Sequence, residues 1–186
     1  MKHRIFIAIN LPENIKKQLA DFQLKWPELP CRWTKRENIH ITLAFLGYLT
    51  DEGLLEICKI AKEVASRHEP FFINLNKIIY GPPKQPPRMI WTEGEENEEL
   101  GRLQTDLENS LQGLPFGREK ESRPYAPHIT LGRLRQWEFR TIESEERPEV
   151  NEEISLNFEV KSIDVMESQL RRGGPEYSVL ESMPLI

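Results

Sequence analysis

The sequence predicts an α+β fold with a largely antiparallel sheet. Three observations carry this. Helix-period and strand-period segments follow one another in mixed order, which disfavours a doubly wound parallel sheet. The stretch Gly81-Pro82-Pro83-Lys84-Gln85-Pro86-Pro87 is a turn joining two strand patterns, because proline cannot donate to a β-ladder and the strands must stop there. The length, 186 residues, suits one compact domain of about 100–200 residues, or two small lobes sharing a core.

The elements follow in order. A first strand is expected over 4–9, where Ile5-Phe6-Ile7-Ala8-Ile9 is halted by Asn10 and Pro12. That apolar run is too short for a signal-peptide core and lacks a small-residue cleavage site. A helix over 12–26 places Ile15, Leu19, Phe22 and Trp26 on one face, with Pro12 and Glu13 suited to its first turn. A strand over 39–47 precedes Thr50-Asp51-Glu52, a cap followed by acids. This opens a helix over 50–67 with Leu54, Ile57, Ala61, Val64 and Ala65 in one stripe. Strands over 71–80 and 88–92 flank the proline turn. A third helix, over roughly 95–112, aligns Leu100, Leu103, Leu107 and Leu111. Strands over 127–133, 156–166 and 176–182 complete the sheet.

Composition narrows the class. Hydrophobic residues make up 38% of the chain, too many for a disordered protein. No stretch approaches the roughly 20 apolar residues of a membrane helix. Cys31 and Cys58 cannot make a disulfide framework, so a cytoplasmic, reducing compartment is expected. A net charge of −5 argues at face value against a nucleic-acid partner. The acids are concentrated, however. Residues 93–108 carry −6 and residues 143–153 carry −5, leaving +6 on the rest. The first tract complements the start of the third helix, and the second, interrupted by Pro148, reads as a solvated loop or short helix. Neither looks like a site.

The strongest signal is a repeat. His-Ile-Thr-Leu occurs at 40–43 and again at 128–131, using two of the chain's four histidines. Such a coincidence arises by chance on the order of once in a thousand chains, and a duplicated lobe explains it better. In a strand, residues i and i+2 share a face about 6.5–7 Å apart. His40 and Thr42 therefore face one way, with Ile41, Leu43 and Phe45 on the other. His128 and Thr130 do the same, with Ile129 and Leu131 behind them. If two such strands meet about a pseudo-two-fold axis, two imidazoles and two hydroxyls line one cleft. Two imidazoles supply one general base and one general acid, and threonine hydroxyls can stabilise charge on phosphate oxygens. The set fits in-line displacement at phosphorus without a metal. His-x-Thr supplies one nitrogen per strand and no Cys, Asp or Glu to complete a metal shell. Strand geometry does not say which histidine is the acid.

At these residues the sequence resembles the two-histidine (2H) phosphoesterases, and among them the RNA 2′,3′-cyclic phosphodiesterases, also called the 2′-5′ RNA ligase family. The resemblance spans nearly the whole chain. It includes Arg4 to Ile9, Arg32-Trp33-Thr34-Lys35 leading into Asn38 to Gly47, Ile90-Trp91, Tyr125 to Arg133, and Glu167 to Leu170 with Gly174 to Tyr177. It implies a single bilobal domain over 1–186. Two pseudo-dyad-related lobes, each with one motif, would carry outer helices around a central, positively charged cleft. It implies hydrolysis of RNA 2′,3′-cyclic phosphate ends to 2′-phosphates, with no cofactor and no metal. His40 would be the proton donor to the departing 3′ oxygen, His128 the acceptor that activates water, and Thr42 and Thr130 the phosphate holders. Arg133 matches a family arginine that contacts phosphate. Its odd offset from His128 puts it on the opposite face unless Gly132 allows a bulge, and a surface salt bridge is the competing reading. Trp33 and Tyr125 are candidate base platforms, with core packing as their competing reading. Lys35, Arg36, Lys84, Arg88, Arg118, Arg123, Arg135, Arg171 and Arg172 are candidates to border the cleft.

The expected partner is RNA with 2′,3′-cyclic ends, acted on by a monomer with no membrane association. Two other readings stay open. One keeps the chemistry but changes the reaction to 2′-5′ ligation, its reverse, or the substrate to a small cyclic nucleotide. The other is a non-catalytic nucleotide- or RNA-binding module.

Overall fold

Ile5, Ile7 and Ile9 alternate with Phe6 and Ala8 along the first strand, and all five are at most 3% exposed. A strand buried on both faces belongs in the middle of a sheet covered from two sides, and that is its position. In a computed structural model describing residues 2–83, 86–114 and 128–186, the elements run β1 (His3–Asn10), α1 (Glu13–Gln23), β2 (Cys31–Trp33), β3 (His40–Leu49), α2 (Asp51–Ala65), β4 (Phe71–Gly81) and β5 (Met89–Gly94). They continue as α3 (Glu98–Leu111), β6 (Ile129–Leu134), α4 (Gln136–Thr141), β7 (Asn151–Val160), β8 (Ser162–Arg171) and β9 (Gly174–Pro184). All strands join one sheet in the order β7-β4-β5-β6-β3-β1-β8-β9, with β2 beside β6, and every pairing is antiparallel.

That order is symmetric about its middle. The halves β3-β1-β8-β9 and β6-β5-β4-β7 meet through one ladder pair, Ile41 opposite Ile129. In each half a strand and a helix precede the motif strand, β1 and α1 before β3, with β2 between, and β5 and α3 before β6. The helices cover one face. Ile15 and Leu19 of α1, Ile57, Ala61 and Val64 of α2, and the leucine stripe of α3 close over Ile5, Ile7, Ile9, Ile41 and Ile129. On the other face a smaller cluster of Phe6, Ala8 and Met166 lies under Tyr177.

Local chemistry explains the boundaries. The Thr50 hydroxyl accepts from Gly53 N at 3.2 Å and caps α2, and Asn97 Oδ1 accepts from Leu100 N at 2.8 Å and caps α3. The first helix ends at Gln23 rather than continuing to Trp26, because Trp26 precedes Pro27 and the residue before proline is pushed out of the helical region. Trp26 still packs inward, donating from Nε1 to Glu149 O. The strand expected over 156–166 is two strands broken at Lys161. The chain there leaves the outer edge of one half for the other, which an unbroken strand pattern does not reveal. The second acidic tract divides between a 3-10 turn at Ser144–Glu146 and the start of β7. The short elements β2 and α4 carry too few residues for a periodic signal.

The two motif strands carry matching irregularities. In β1–β3, Ile7 pairs with Ala44 but Ala8 with Thr42, so Leu43 is an extra residue. In β5–β6, Ile90 pairs with Gly132 but Trp91 with Thr130, so Leu131 is extra. Both are β-bulges immediately after the threonine. The Leu131 carbonyl, displaced from the ladder, accepts instead from Thr34 N at 2.8 Å and Gln23 Nε2 at 3.1 Å. Gly132 is required there, since a Cβ would lie 2.4 Å from Cys31 Sγ and 2.8 Å from the Trp33 ring. Gly132→Ala is therefore expected to destabilise the fold by about 1–3 kcal/mol through overpacking. Denaturant unfolding checks this, and an unchanged midpoint would show that the bulge absorbs a methyl group.

Candidate active site

The pairing of Ile41 with Ile129 dictates the site. In an antiparallel ladder this register sets His40 opposite Thr130 and Thr42 opposite His128. The two histidines become diagonal neighbours, about 7–8 Å apart in a regular ladder. Ile41, Leu43, Ile129 and Leu131 turn to the helix-covered core, at most 4% exposed, while His40, Thr42, His128 and Thr130 are half-buried on the other face. The four motif side chains thus share one face of the sheet.

The two imidazoles sit in different surroundings. His40 Nδ1 lies 2.6 Å from Asn38 O, and Nε2 lies 2.9 Å from Thr42 Oγ1. A carbonyl can only accept, so Nδ1 carries a proton in either charge state. Nε2 is left as the exchanging atom, beside the threonine hydroxyl. Asn38 is itself buried and donates from Nδ2 to Pro175 O at 2.7 Å, tying the β8–β9 hairpin to the motif. Phe6 and Tyr177 enclose the His40 ring with centroids at 5.1 and 5.4 Å. Burial pushes the His40 pKa below the usual imidazole range. The Asn38 carbonyl opposes that shift, and the charges of Lys16 and His128 add to it. Lys16 is a buried cation, donating to Glu37 O at 3.2 Å and to Asn10 Oδ1 at 3.5 Å. His128 instead lies flat on Trp91, ring centroids 3.9 Å apart and planes 23° apart. The remaining histidines are carboxylate-bound elsewhere, His3 to Glu167 and Asp51, and His68 to Asp106.

The bulges move two residues relative to the alternation rule. Phe45 is not on the core face with Ile41 and Leu43. The extra residue Leu43 returns it to the histidine side, where its ring meets Phe6 at 6.1 Å. Arg133 likewise joins the face of His128 and Thr130, opposite Met89. It is exposed and contacts Met89 Sδ at 3.4 Å, with no carboxylate partner among the described residues. Trp33 is corrected from platform to core: it packs against Gly132 and stacks on Trp26, away from the motifs. Tyr125, Lys84, Arg118 and Arg123 lie outside the described residues. Arg36, Arg135 and Arg171 are engaged by Glu13, Glu138 and Glu176. Sequence reasoning assigned no role to Trp91, Phe6, Tyr177 or Asn38. All four fall within the segments that carry the family resemblance, but neither periodicity nor the repeat singled them out.

The cysteines stand apart from this chemistry, burial pushing the Cys31 thiol up to about 12. Among the described residues no group of three or more His, Cys, Asp or Glu side chains is arranged to hold a metal ion. None of their helices is long and apolar enough to cross a membrane.

A duplicated antiparallel sheet bringing two His-x-Thr strands together defines a two-histidine phosphoesterase architecture. The chain belongs to the LigT like Phosphoesterase family, which it matches over residues 9–91 and 93–177, one motif in each segment. It is 32% identical to an RNA 2′,3′-cyclic phosphodiesterase of Methanocaldococcus jannaschii, covering 96% of this chain and 98% of that one. It is 30% identical to the protein of the same description from Thermotoga maritima, covering 95% and 92%. Among solved structures, a Thermus thermophilus protein superposes with a TM-score of 0.81 at 29% identity, covering 98% and 97%. The LigT of E. coli complexed with 3′-AMP does so with a TM-score of 0.78 at 26% identity, covering 100% and 99%.

The stacked indole holds the His128 ring in place. Trp91→Leu is expected to loosen the ring, with Trp91→Phe in between. NMR relaxation of the ring reads this, and unchanged ring dynamics would show that the stack does not restrain it.

Proposed function

We propose that the protein hydrolyses RNA 2′,3′-cyclic phosphate ends to 2′-phosphomonoesters by acid–base catalysis between His40 and His128, without a metal. The observation that carries this is the Ile41–Ile129 register, which presents two imidazoles and two threonines on one face of the sheet. The descriptions of the M. jannaschii and T. maritima relatives support the reaction, and the 3′-AMP bound by E. coli LigT supports a nucleotide ligand.

In this reading His128 accepts a proton from water as its oxygen bonds to phosphorus. The P–O3′ bond breaks, and His40 Nε2 delivers its proton to the departing 3′ oxygen. The product is a 2′-phosphate with a free 3′ hydroxyl. Thr42 and Thr130 donate to the non-bridging oxygens, and Arg133 adds charge from the same face. The protein works as one bilobal domain, a monomer in the reducing cytoplasm. Ligation of cyclic and 5′-hydroxyl ends is the same displacement with a 5′ hydroxyl in place of water, and the ratio of hydrolysed to ligated product on one labelled RNA measures the balance.

His40→Ala and His128→Ala are each expected to lower kcat about 10²- to 10⁴-fold in the presence of a chelator. Circular dichroism checks that both variants stay folded. Retained turnover in either variant, or loss of wild-type turnover in the chelator, would defeat the mechanism.

The pH dependence follows from His40. In the free protein its proton affinity is lowered, so the protonated form needed for the acid role is lost as pH rises from below 6.5. A bound phosphate anion favours the imidazolium. The alkaline limb of kcat should therefore lie at higher pH than that of kcat/KM, and coincident limbs would reverse the assignment of acid and base.

A further inference from the structure

The buried residues of α1 are Ile15, Lys16 and Leu19. Two are aliphatic, whereas Lys16, only 6% exposed, carries an ammonium into the same interior. Burying an ammonium is costly unless polar groups surround it, and an aliphatic side chain would pack there without that cost. Its only ion pair among the described residues is with Glu13 at 3.8 Å. The Glu13 side chain is 69% exposed and is also bound by Arg36, so it screens little of the buried charge.

The contacts of Lys16 lie on the two segments that hold His40. Its Nζ donates to Glu37 O at 3.2 Å, within the 3-10 turn Arg36–Asn38. The next carbonyl of that turn, Asn38 O, receives the His40 Nδ1 proton at 2.6 Å. Nζ also donates to Asn10 Oδ1 at 3.5 Å, and Asn10 is the cross-strand partner of His40 in the β1–β3 ladder. Asn10 in turn donates from Nδ2 to Asp164 Oδ2 at 2.6 Å. Asp164 is 4% exposed, and its Oδ1 has no hydrogen-bond partner. An ammonium and a carboxyl therefore flank one amide beside the imidazole.

The duplication does not supply this cation. Lys16 is the fourth residue of α1, and the fourth residue of α3 is Gly101. The other groups around the His40 ring are His128 across the motif ladder, Tyr177 from β9, and the uncharged Phe6 and Asn10 from β1. Asp164 of β8 stands behind Asn10. Lys16 is the permanent cation of that set, and a buried positive charge opposes a second one on the imidazole. Burial is the larger cause of the lowered His40 pKa, and the Lys16 charge acts in the same direction.

We propose that Lys16 is a positioning residue for the His40 acid. From α1 it holds the turn that orients the imidazole, and its charge favours release of the ring proton to the departing oxygen. The role in turnover rests on the function proposed above, while the influence on the ring rests on the α1 contacts alone.

The test replaces Lys16 with methionine, which fills similar space without charge. The His40 ring is followed by NMR titration beside turnover. In Lys16→Met the ring should titrate at higher pH than in the wild type, and the alkaline limb of kcat/KM should move the same way. The kcat should fall about tenfold, because a weaker acid protonates the departing oxygen more slowly. Lys16→Arg keeps the charge and should restore the titration and most of the turnover. A lysine that serves packing alone would change the denaturant midpoint and leave the His40 titration in place. An unmoved titration in folded Lys16→Met overturns the proposal, and so does an unchanged kcat.

If Lys16→Met does not fold, Lys16→Gln is read in the same way, since it removes the charge and keeps a donor. If the wild type hydrolyses no cyclic phosphate, the proposed function fails and the titration alone decides. A ring shifted to higher pH then sustains the hold of Lys16 on His40, and an unmoved ring removes it.

Discussion

The structure depends on one ladder pair. Ile41 and Ile129 are the middle residues of the two motifs, and their antiparallel pairing puts a local two-fold axis between them. An antiparallel pair exchanges under that axis, so whatever flanks one isoleucine must reappear, inverted, beside the other. His40 falls opposite Thr130, and Thr42 opposite His128. A slip of one residue would send the imidazoles into the core and the isoleucines into the cleft. Burial of Ile41 and Ile129 at 2% and 0% exposure therefore holds the motif register as firmly as it holds the fold.

Symmetry alone supplies two identical imidazoles, whereas acid–base chemistry needs two different ones. The surroundings break the equivalence. His40 is desolvated between Phe6 and Tyr177, with Nδ1 committed to a backbone carbonyl and the buried Lys16 charge nearby. His128 lies on an indole face instead. The bulges repeat in both halves but deliver unlike residues, Phe45 on one side and Arg133 on the other. A duplicated frame has thus been differentiated by side chains that the duplication does not constrain.

Much of this was legible beforehand, for identifiable reasons. Alternation and helical stripes are local properties, so β1, β4, α2 and α3 were readable to within a few residues. The four motif residues were readable because they repeat. The break at Lys161 was not, because both flanking strands continue the same pattern and only the sheet order separates them. Phe45 and Arg133 followed from neither pattern nor repeat, since a bulge changes the period of 2 on which facing arguments rest. Trp33 resembled a platform for the same reason that it packs well, being large, flat and beside the motif.

The sequence by itself determined the element types, the duplicated His-x-Thr pair and the concealment of a basic remainder beneath two acidic tracts. Those are short-range or compositional facts, and they survive without coordinates. Only the tertiary structure decided how the two histidines differ and that Arg133 joins their face. Those depend on partners far apart in the chain: Tyr177 against His40, Trp91 against His128, and Met89 opposite Arg133. Contacts between residues roughly 35 to 140 positions apart are set by strand register and packing, and no local periodicity encodes them.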